Sequence, residues 1–148
     1  MKKLIAFILL ILPLLFLLLF KSGSDSIFCL EGVTKACIVT SEDVEGENVV
    51  NTLGYNYVTF DANNLKKAKS IDEDGVMLYV ENSSIEKVSK SLNMLDFRRE
   101  NVMGKEVVYG YTPKYQKSLI LDNKKVNVQI VVDDDKLILG FPIILGGF

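Results

Sequence analysis

An unbroken apolar run near the start of the chain most constrains how and where the rest can fold. Residues 4–20 (LIAFILLILPLLFLLLF) contain no charged or hydroxyl side chain, and Lys2 and Lys3 precede them. A helix of this length spans about 25 Å, which approaches the thickness of a bilayer's hydrocarbon core. The basic start favours an N-in, C-out orientation. We therefore predict a membrane segment over residues 1–21 and an exported remainder.

The same segment has two interpretations, an uncleaved anchor or a cleaved signal. Ser22 and Ser24 are small residues that suit a signal-peptidase site, but the run exceeds the about 7–15 residues of a signal core. Pro13 lies within the run, where membrane helices tolerate proline better than soluble helices do. We favour the anchor, with residues 22–26 as a linker and residues 27–148 as one extracytoplasmic domain. The expected location is the cell membrane, or outside the cell after cleavage.

The charge of the exported part excludes several classes of partner. Residues 22–148 carry 14 basic and 19 acidic side chains, a net charge of −5. Nucleic-acid binders need a basic footprint, which this part lacks. The chain also has no histidine, which rules out Ser-His and Cys-His catalytic pairs and removes the commonest metal ligand. We expect no nucleic-acid partner, no metal and no cofactor.

The two cysteines, Cys29 and Cys37, follow the linker closely. Export would place them in an oxidising compartment, where neighbouring cysteines form disulfides. Glu31 and Gly32 supply a turn between them. We predict a Cys29–Cys37 disulfide that holds the start of the domain near the membrane, with two reduced thiols as the alternative.

Strand patterns dominate the exported part. Residues 126–132 alternate, so that one face receives Val126, Val128, Ile130 and Val132 while Asn127 and Gln129 take the other. Turn residues separate this segment from its neighbours. The predicted strands span residues 55–61, 76–80, 97–102, 106–112, 119–121, 126–132 and 137–139, with turns at residues 122–125 and 133–136.

Helix signals occur among these strands. Thr40 is a candidate N-cap for a helix that would end at Gly54, and Ser83 with Glu86 forms a capping box for a second helix. Residues 62–70 would form a third, short helix or a turn. The expected fold is α+β, in which an N-terminal membrane helix precedes a mostly antiparallel sheet with two to three helices packed on it.

Two acidic segments resemble cation sites but are better explained as turns. Residues 70–81 place three acidic side chains as an EF-hand loop does, yet Ser70 stands where the first ligand belongs. An apolar strand pattern also occupies the second half of this loop. Residues 133–135 are consecutive aspartates on a hairpin turn, and their side chains point in different directions.

Tyr109, Tyr111 and Tyr115 are the candidate binding residues, because they cluster near a glycine and a proline. Tyrosine is enriched at protein interfaces. The alternative is that these residues are ordinary packing residues of strands and turns.

The tail of the chain carries a family resemblance. Residues 125–130 (KVNVQI), followed by residues 140–144 (GFPII), resemble the end of YwmB-like proteins, which are exported proteins of spore-forming bacteria. The resemblance implies an envelope protein with an α+β domain and transfers no catalytic residue. The family's label, TATA-box binding, conflicts with an acidic exported domain and is not carried over.

These observations predict a membrane-tethered extracytoplasmic binding or interaction domain with a protein partner in the cell envelope. The three tyrosines and the apolar tail would form its binding patch. One alternative is a small envelope hydrolase that uses carboxylates or a Ser-Lys pair. Another is an assembly factor that oligomerises through its C-terminal strand, where Pro142 restricts pairing to an edge or a bulge.

Overall fold

A computed structural model describes residues 27–44, 48–52 and 54–144. The membrane segment predicted over residues 4–20 lies outside this described part. Within the described part, no helix is long and apolar enough to cross a membrane.

The described residues are 52% strand and form an eight-stranded sheet with a separate two-stranded hairpin. There are two short α-helices, α1 (Leu65–Ala68) and α2 (Ile85–Leu92), and two 3-10 turns at Ile27–Cys29 and Ala62–Asn64. The strands are β1 (Val33–Thr40), β2 (Val49–Thr52), β3 (Tyr55–Asp61), β4 (Gly75–Glu81), β5 (Leu95–Val102), β6 (Lys105–Tyr111), β7 (Leu119–Leu121), β8 (Lys124–Val126), β9 (Val128–Asp133) and β10 (Lys136–Phe141).

The α+β class expected from the sequence is therefore wrong, because the described chain is mostly antiparallel sheet with few helices. The helix expected from Thr40 to Gly54 is replaced by β2, which pairs with β3. The Thr40 hydroxyl donates to the carbonyl of Asp72 at 2.7 Å and accepts from the N–H of Glu42 at 3.1 Å. The Thr40 side chain therefore forms hydrogen bonds at the end of β1 and does not cap a helix. Pairing of β2 with β3 overrides the local helix signal.

The strand order places the C-terminal strand inside the sheet. The order is β2-β3-β1-β4-β10-β9-β6-β5, and all neighbours are antiparallel. Since β10 pairs with β4 on one side and with β9 on the other, it has no free edge for pairing with another chain. Within the eight-stranded sheet the free edges belong to β2 and β5, so β10 offers no open edge to the oligomerisation hypothesis.

One face of the sheet, which we call the helix face, packs against both α-helices. Ser84 caps α2 by accepting from the N–H of Lys87 at 3.3 Å, one residue later than the predicted cap. Asn93 ends the helix in the left-handed conformation. The main core lies between these helices and the strands, and its fully or nearly fully buried members include Ile38, Leu78, Val88, Leu92, Ile130, Leu139 and Phe141.

The predicted disulfide is not formed in the structure. Cys29 is the exposed residue of a 3-10 turn whose other two residues are buried, and its thiol is 3.7 Å from the ammonium of Lys69. Cys37 lies in the middle of β1, directly opposite Met77 of β4, and is buried. Burial raises the pKa of the Cys37 thiol, which therefore stays protonated and unreactive.

Candidate functional site

A continuous apolar row crosses the sheet on the face opposite the helices. The register places Tyr79 opposite Ile138, Ile138 opposite Val131, and Val131 opposite Val107. These residues lie on β4, β10, β9 and β6, four neighbouring strands. Val107 and Val131 are fully buried, and they form a cluster with Ile138 that is distinct from the main core. This face thus carries its own hydrophobic cluster.

A second row runs beside the first, two residues further along each strand. The register pairs Cys37 with Met77, Met77 with Gly140, Gly140 with Gln129, and Gln129 with Tyr109. We call the two rows together the tyrosine face. Its members are Cys37, Met77, Tyr79, Val107, Tyr109, Gln129, Val131, Ile138 and Gly140.

Charged side chains border the tyrosine face at two of its margins. At one end of the strands, Asp133 pairs with Lys105 at 2.7 Å and with Lys136 at 3.6 Å. The hydrogen bond from Lys105 lowers the pKa of the Asp133 carboxyl. On the outer strand β5, Arg98 pairs with Glu100 at 2.5 Å. An apolar centre with a charged border is the usual anatomy of a protein interface.

The two tyrosines of this face are neutral phenols that present polar tips in apolar surroundings. Partial burial raises the pKa of Tyr79 and of Tyr109, and Glu100 adds to the effect at Tyr109. The Gln129 amide donates to the Tyr109 hydroxyl at 3.4 Å. Side chains of this kind offer a large apolar contact area together with a hydrogen-bonding group.

The structure separates the three tyrosines singled out by the sequence. Tyr109 and Tyr111 lie on the same side of β6, and the Lys125 ammonium is 5.6 Å from the centre of the Tyr111 ring. Tyr115 lies in the main core on the helix face, where it is 2% exposed and its ring centre is 5.4 Å from that of Phe141. The three residues therefore do not form one surface.

Tyr79 is the tyrosine of the site that the sequence did not identify as a candidate. It lies in the apolar stretch of residues 76–80, which is typical of a strand buried on both faces. Nothing in that stretch distinguishes the residues that face the helices from those that face away. The signal that identifies Tyr79 is its register opposite Ile138, which only strand pairing supplies.

Removal of the Tyr115 hydroxyl is expected to stabilise the fold. This hydroxyl is buried and has no hydrogen-bond partner among the described residues, and burial raises its pKa. An unsatisfied buried group costs about 1–3 kcal/mol, so Tyr115→Phe should raise the free energy of unfolding by about 1 kcal/mol. Urea denaturation of the full chain would measure the change, with the 45%-exposed Tyr55 supplying the control Tyr55→Phe. Destabilisation by Tyr115→Phe would contradict the assignment.

The small hairpin of β7 and β8 borders the site next to Tyr109. Asp122, in the turn of this hairpin, forms an ion pair with Arg98 at 2.8 Å. A cavity of about 110 Å³ lies between the hairpin and the sheet, and Tyr109, Arg98 and Phe97 contribute to its lining. The hairpin thereby adds the cationic side chains of Lys124 and Lys125 to one edge of the tyrosine face, where their ammonium groups lie 5.4 Å and 5.6 Å from the ring centres of Phe97 and Tyr111.

The acidic segments form turns, as the sequence indicated. Residues 70–74 form a turn region before β4, and residues 134–135 form the turn between β9 and β10. A cavity of about 400 Å³ opens beside that hairpin turn, lined by Glu81, Asn82 and residues 133–136. In the described ranges, no three His, Cys, Asp or Glu side chains come together as a metal site.

Comparison with known proteins does not assign the site to a family. No family model, curated protein or solved structure matches the chain. The geometry and chemistry of the tyrosine face are therefore the basis for a functional proposal.

Proposed function

We propose that the protein is a membrane-tethered extracytoplasmic interaction module of the cell envelope, whose tyrosine face binds an envelope protein through an apolar or aromatic segment. The observation that carries the proposal is the apolar row of Tyr79, Ile138, Val131 and Val107 on the face opposite the helices. A sheet needs one packed face for its core, and here that role belongs to the helix face. The second face has its own buried apolar cluster, and the half-buried side chains of Tyr79 and Tyr109 beside that cluster are the ones accessible to a partner.

The chemistry of the face favours a protein segment over other partners. Tyrosines around an apolar centre are enriched in protein interfaces and supply most of the binding energy at hot spots. The acidic balance of residues 22–148 disfavours nucleic acid and anionic lipid. The ion pairs of Asp133 with Lys105 and Lys136 are already satisfied within the chain, so they form a border and leave recognition to the half-buried tyrosines.

Two sequence features support the envelope location. The apolar run over residues 4–20 has the length and flanking charge of a membrane anchor. The resemblance of the tail to YwmB-like exported proteins agrees with the same location. Tethering would keep a recognition surface close to partners in the same membrane layer.

The proposal predicts that alanine at Tyr79 or Tyr109 abolishes partner capture without unfolding the domain. Truncation of a hot-spot tyrosine costs about 2 kcal/mol or more, which weakens binding at least about tenfold. The measurement is crosslinking in intact cells followed by affinity purification and identification of captured envelope proteins. Tyr55→Ala is the matched control, because Tyr55 is exposed near the outer edge of the sheet, beyond the two rows.

A specific partner should be retained by the wild type and by Tyr55→Ala and lost from the two face variants. If all four proteins capture the same set, the tyrosine face is not the binding surface. Circular dichroism of each purified variant would verify that its sheet remains folded.

A further inference from the structure

The two edges of the eight-stranded sheet differ in the charge that they carry. At one edge, β5 has four charged side chains, which are Asp96, Arg98, Arg99 and Glu100. At the other edge, β2 (residues 49–52) has none, and among the described residues it pairs only with β3. Charged side chains on an edge strand discourage pairing with another chain. The edge at β5 is therefore protected, whereas the edge at β2 is open to a further strand.

The hydrogen bonds between β2 and β3 determine which backbone groups of β2 point outward. The N–H of Thr59 donates to the carbonyl of Asn48 at 3.1 Å, so these two opposite residues form a hydrogen-bonded pair. Hydrogen-bonded and non-hydrogen-bonded pairs alternate along antiparallel strands. The backbone N–H and carbonyl of Val50 therefore point toward β3, while those of Val49 and Asn51 point toward the free edge.

The side chains on one side of this edge are exposed and uncharged. Val50 lies opposite Tyr57 and is 62% exposed, while Tyr55 is 45% exposed and Tyr57 is half-buried. Tyr57 shares its side of β3 with Thr59, which pairs with Cys37, so this is the side of the sheet that carries the tyrosine face. Aromatic and β-branched side chains of this kind stabilise pairing between neighbouring strands.

A second copy of the chain complements this edge. When two β2 strands run antiparallel about a two-fold axis, one register pairs Val49 of each copy with Asn51 of the other, and it uses all the outward-facing residues of β2. Val50 then lies opposite Val50 of the second copy in a non-hydrogen-bonded pair. Residues 48–52 contain no charge, so this register brings no like charges together.

We propose that β2 pairs with β2 of a second copy of this chain, so that the two sheets join into one and their tyrosine faces lie on the same side. This pairing depends on the edge strand and not on the proposed function of the tyrosine face. A ladder of four residues is smaller than a standard interface, which buries about 1,600 Å². The association is therefore reversible and increases with protein concentration.

Disulfide crosslinking tests the register. In the full chain carrying Cys29→Ser and Cys37→Ala, Val50→Cys places a thiol beside the two-fold axis. The Cα atoms of such a pair are about 4.5 Å apart, which a disulfide can bridge. Thr52→Cys is the matched control, because it is exposed on the same side of β2 but lies about 13 Å along the strand from its counterpart.

The purified chain is oxidised with diamide in detergent micelles at increasing protein concentrations, and the disulfide-linked dimer is measured on non-reducing gels. We expect at least about tenfold more dimer from Val50→Cys than from Thr52→Cys, because the geometry of a disulfide excludes the longer separation.

Proline at position 51 distinguishes pairing between copies from folding of one copy. Asn51→Pro removes an N–H that points away from β3, so the hairpin of β2 and β3 keeps its own hydrogen bonds. Asn51→Ser keeps that N–H and is the control. In the Val50→Cys chain, we expect proline to lower the dimer yield at least about tenfold and serine less than about twofold, since each copy loses one donor to the ladder only with proline. Urea denaturation and maleimide labelling of the monomer would verify that fold and thiol reactivity are unchanged.

Equal dimer yields from positions 50 and 52 would report random collision and overturn the proposal. A yield that a folded Asn51→Pro variant leaves unchanged would also overturn it, and if that variant unfolds, the comparison of positions 50 and 52 decides. Absence of dimer from the purified chain, with crosslinking of position 50 to a different protein in intact cells, would assign the edge to another occupant. The supporting result needs no envelope partner, so its failure is distinct from loss of partner capture by the tyrosine face.

Discussion

Replacement of Asn127 by leucine is expected to lower the free energy of unfolding by about 4 kcal/mol, a large part of the about 5–15 kcal/mol typical of a domain. Asn127 is fully buried between β8 and β9. Its side-chain carbonyl accepts from the N–H of Thr112 at 2.7 Å, and its amide donates to the carbonyls of Thr112 at 2.7 Å and Tyr115 at 2.6 Å. Leucine would leave three backbone groups unsatisfied, each at a cost of about 1–3 kcal/mol.

Chemical denaturation of the full chain would measure this change, with Asn51→Leu as the control. Asn51 is exposed in β2, so the same substitution there should alter stability by less than about 0.5 kcal/mol. Asn127→Asp supplies a second check, because an ionised carboxylate cannot donate to the two carbonyls. Burial would raise the pKa of the introduced acid above its unfolded value, so the variant should become less stable as the pH rises. Equal stability of Asn127→Leu and Asn51→Leu would contradict the role assigned to Asn127.

The sequence predicts well those elements whose signals are local. The alternation over residues 55–61 is confirmed as β3, and the apolar run over residues 76–80 is confirmed within β4. The helix expected after Ser83 begins at Ile85, where the side-chain cap and the helical spacing of the buried residues both indicate a helix. In these segments, propensity, periodicity and capping all indicate the same structure, so tertiary contacts had nothing to override.

The predicted fold class is wrong because contacts between residues distant in sequence determine the structure of several segments. Residues 49–52 become an edge strand because β3 offers a partner, although a helix cap precedes them. Alternation placed Asn127 on the same face as Gln129, but the strand is interrupted at Asn127 between β8 and β9, and its buried side chain is hydrogen-bonded to Thr112 and Tyr115. A period-of-two pattern assumes an unbroken strand and cannot show such an interruption.

The candidate site could be predicted only in part, for the same reason. Tyr109 was identified from composition and does lie on the tyrosine face. Tyr115 was identified by the same argument, yet it lies in the opposite core. Which of two nearby tyrosines faces which side depends on the turn that follows β6, and Tyr79 joins the site only through pairing of β4 with β10. Composition therefore predicts that tyrosines form the site, but the strand register determines which tyrosines they are.

Removal of the Phe141 side chain should have an effect as large as the loss of Asn127. Phe141 is fully buried at the end of β10, opposite Val76, and its ring packs against Tyr115. Phenylalanine-to-alanine substitutions in cores cost about 3–5 kcal/mol, and we expect about 4 kcal/mol for Phe141→Ala. Chemical denaturation of the full chain would measure it, with Ile120→Ala as the control, because Ile120 is 69% exposed.

This variant also tests what the C-terminal strand does. If β10 served mainly to join copies of the chain, as one sequence interpretation proposed, Phe141→Ala would change the mass in ultracentrifugation and leave unfolding unaffected. The structure predicts the reverse, since β10 is paired on both sides and Phe141 belongs to the main core. A change in mass at unaltered stability would contradict the position of β10 in the sheet. Loss of stability at constant mass would agree with a strand that belongs to the core, as the pairing of β10 with both β4 and β9 requires.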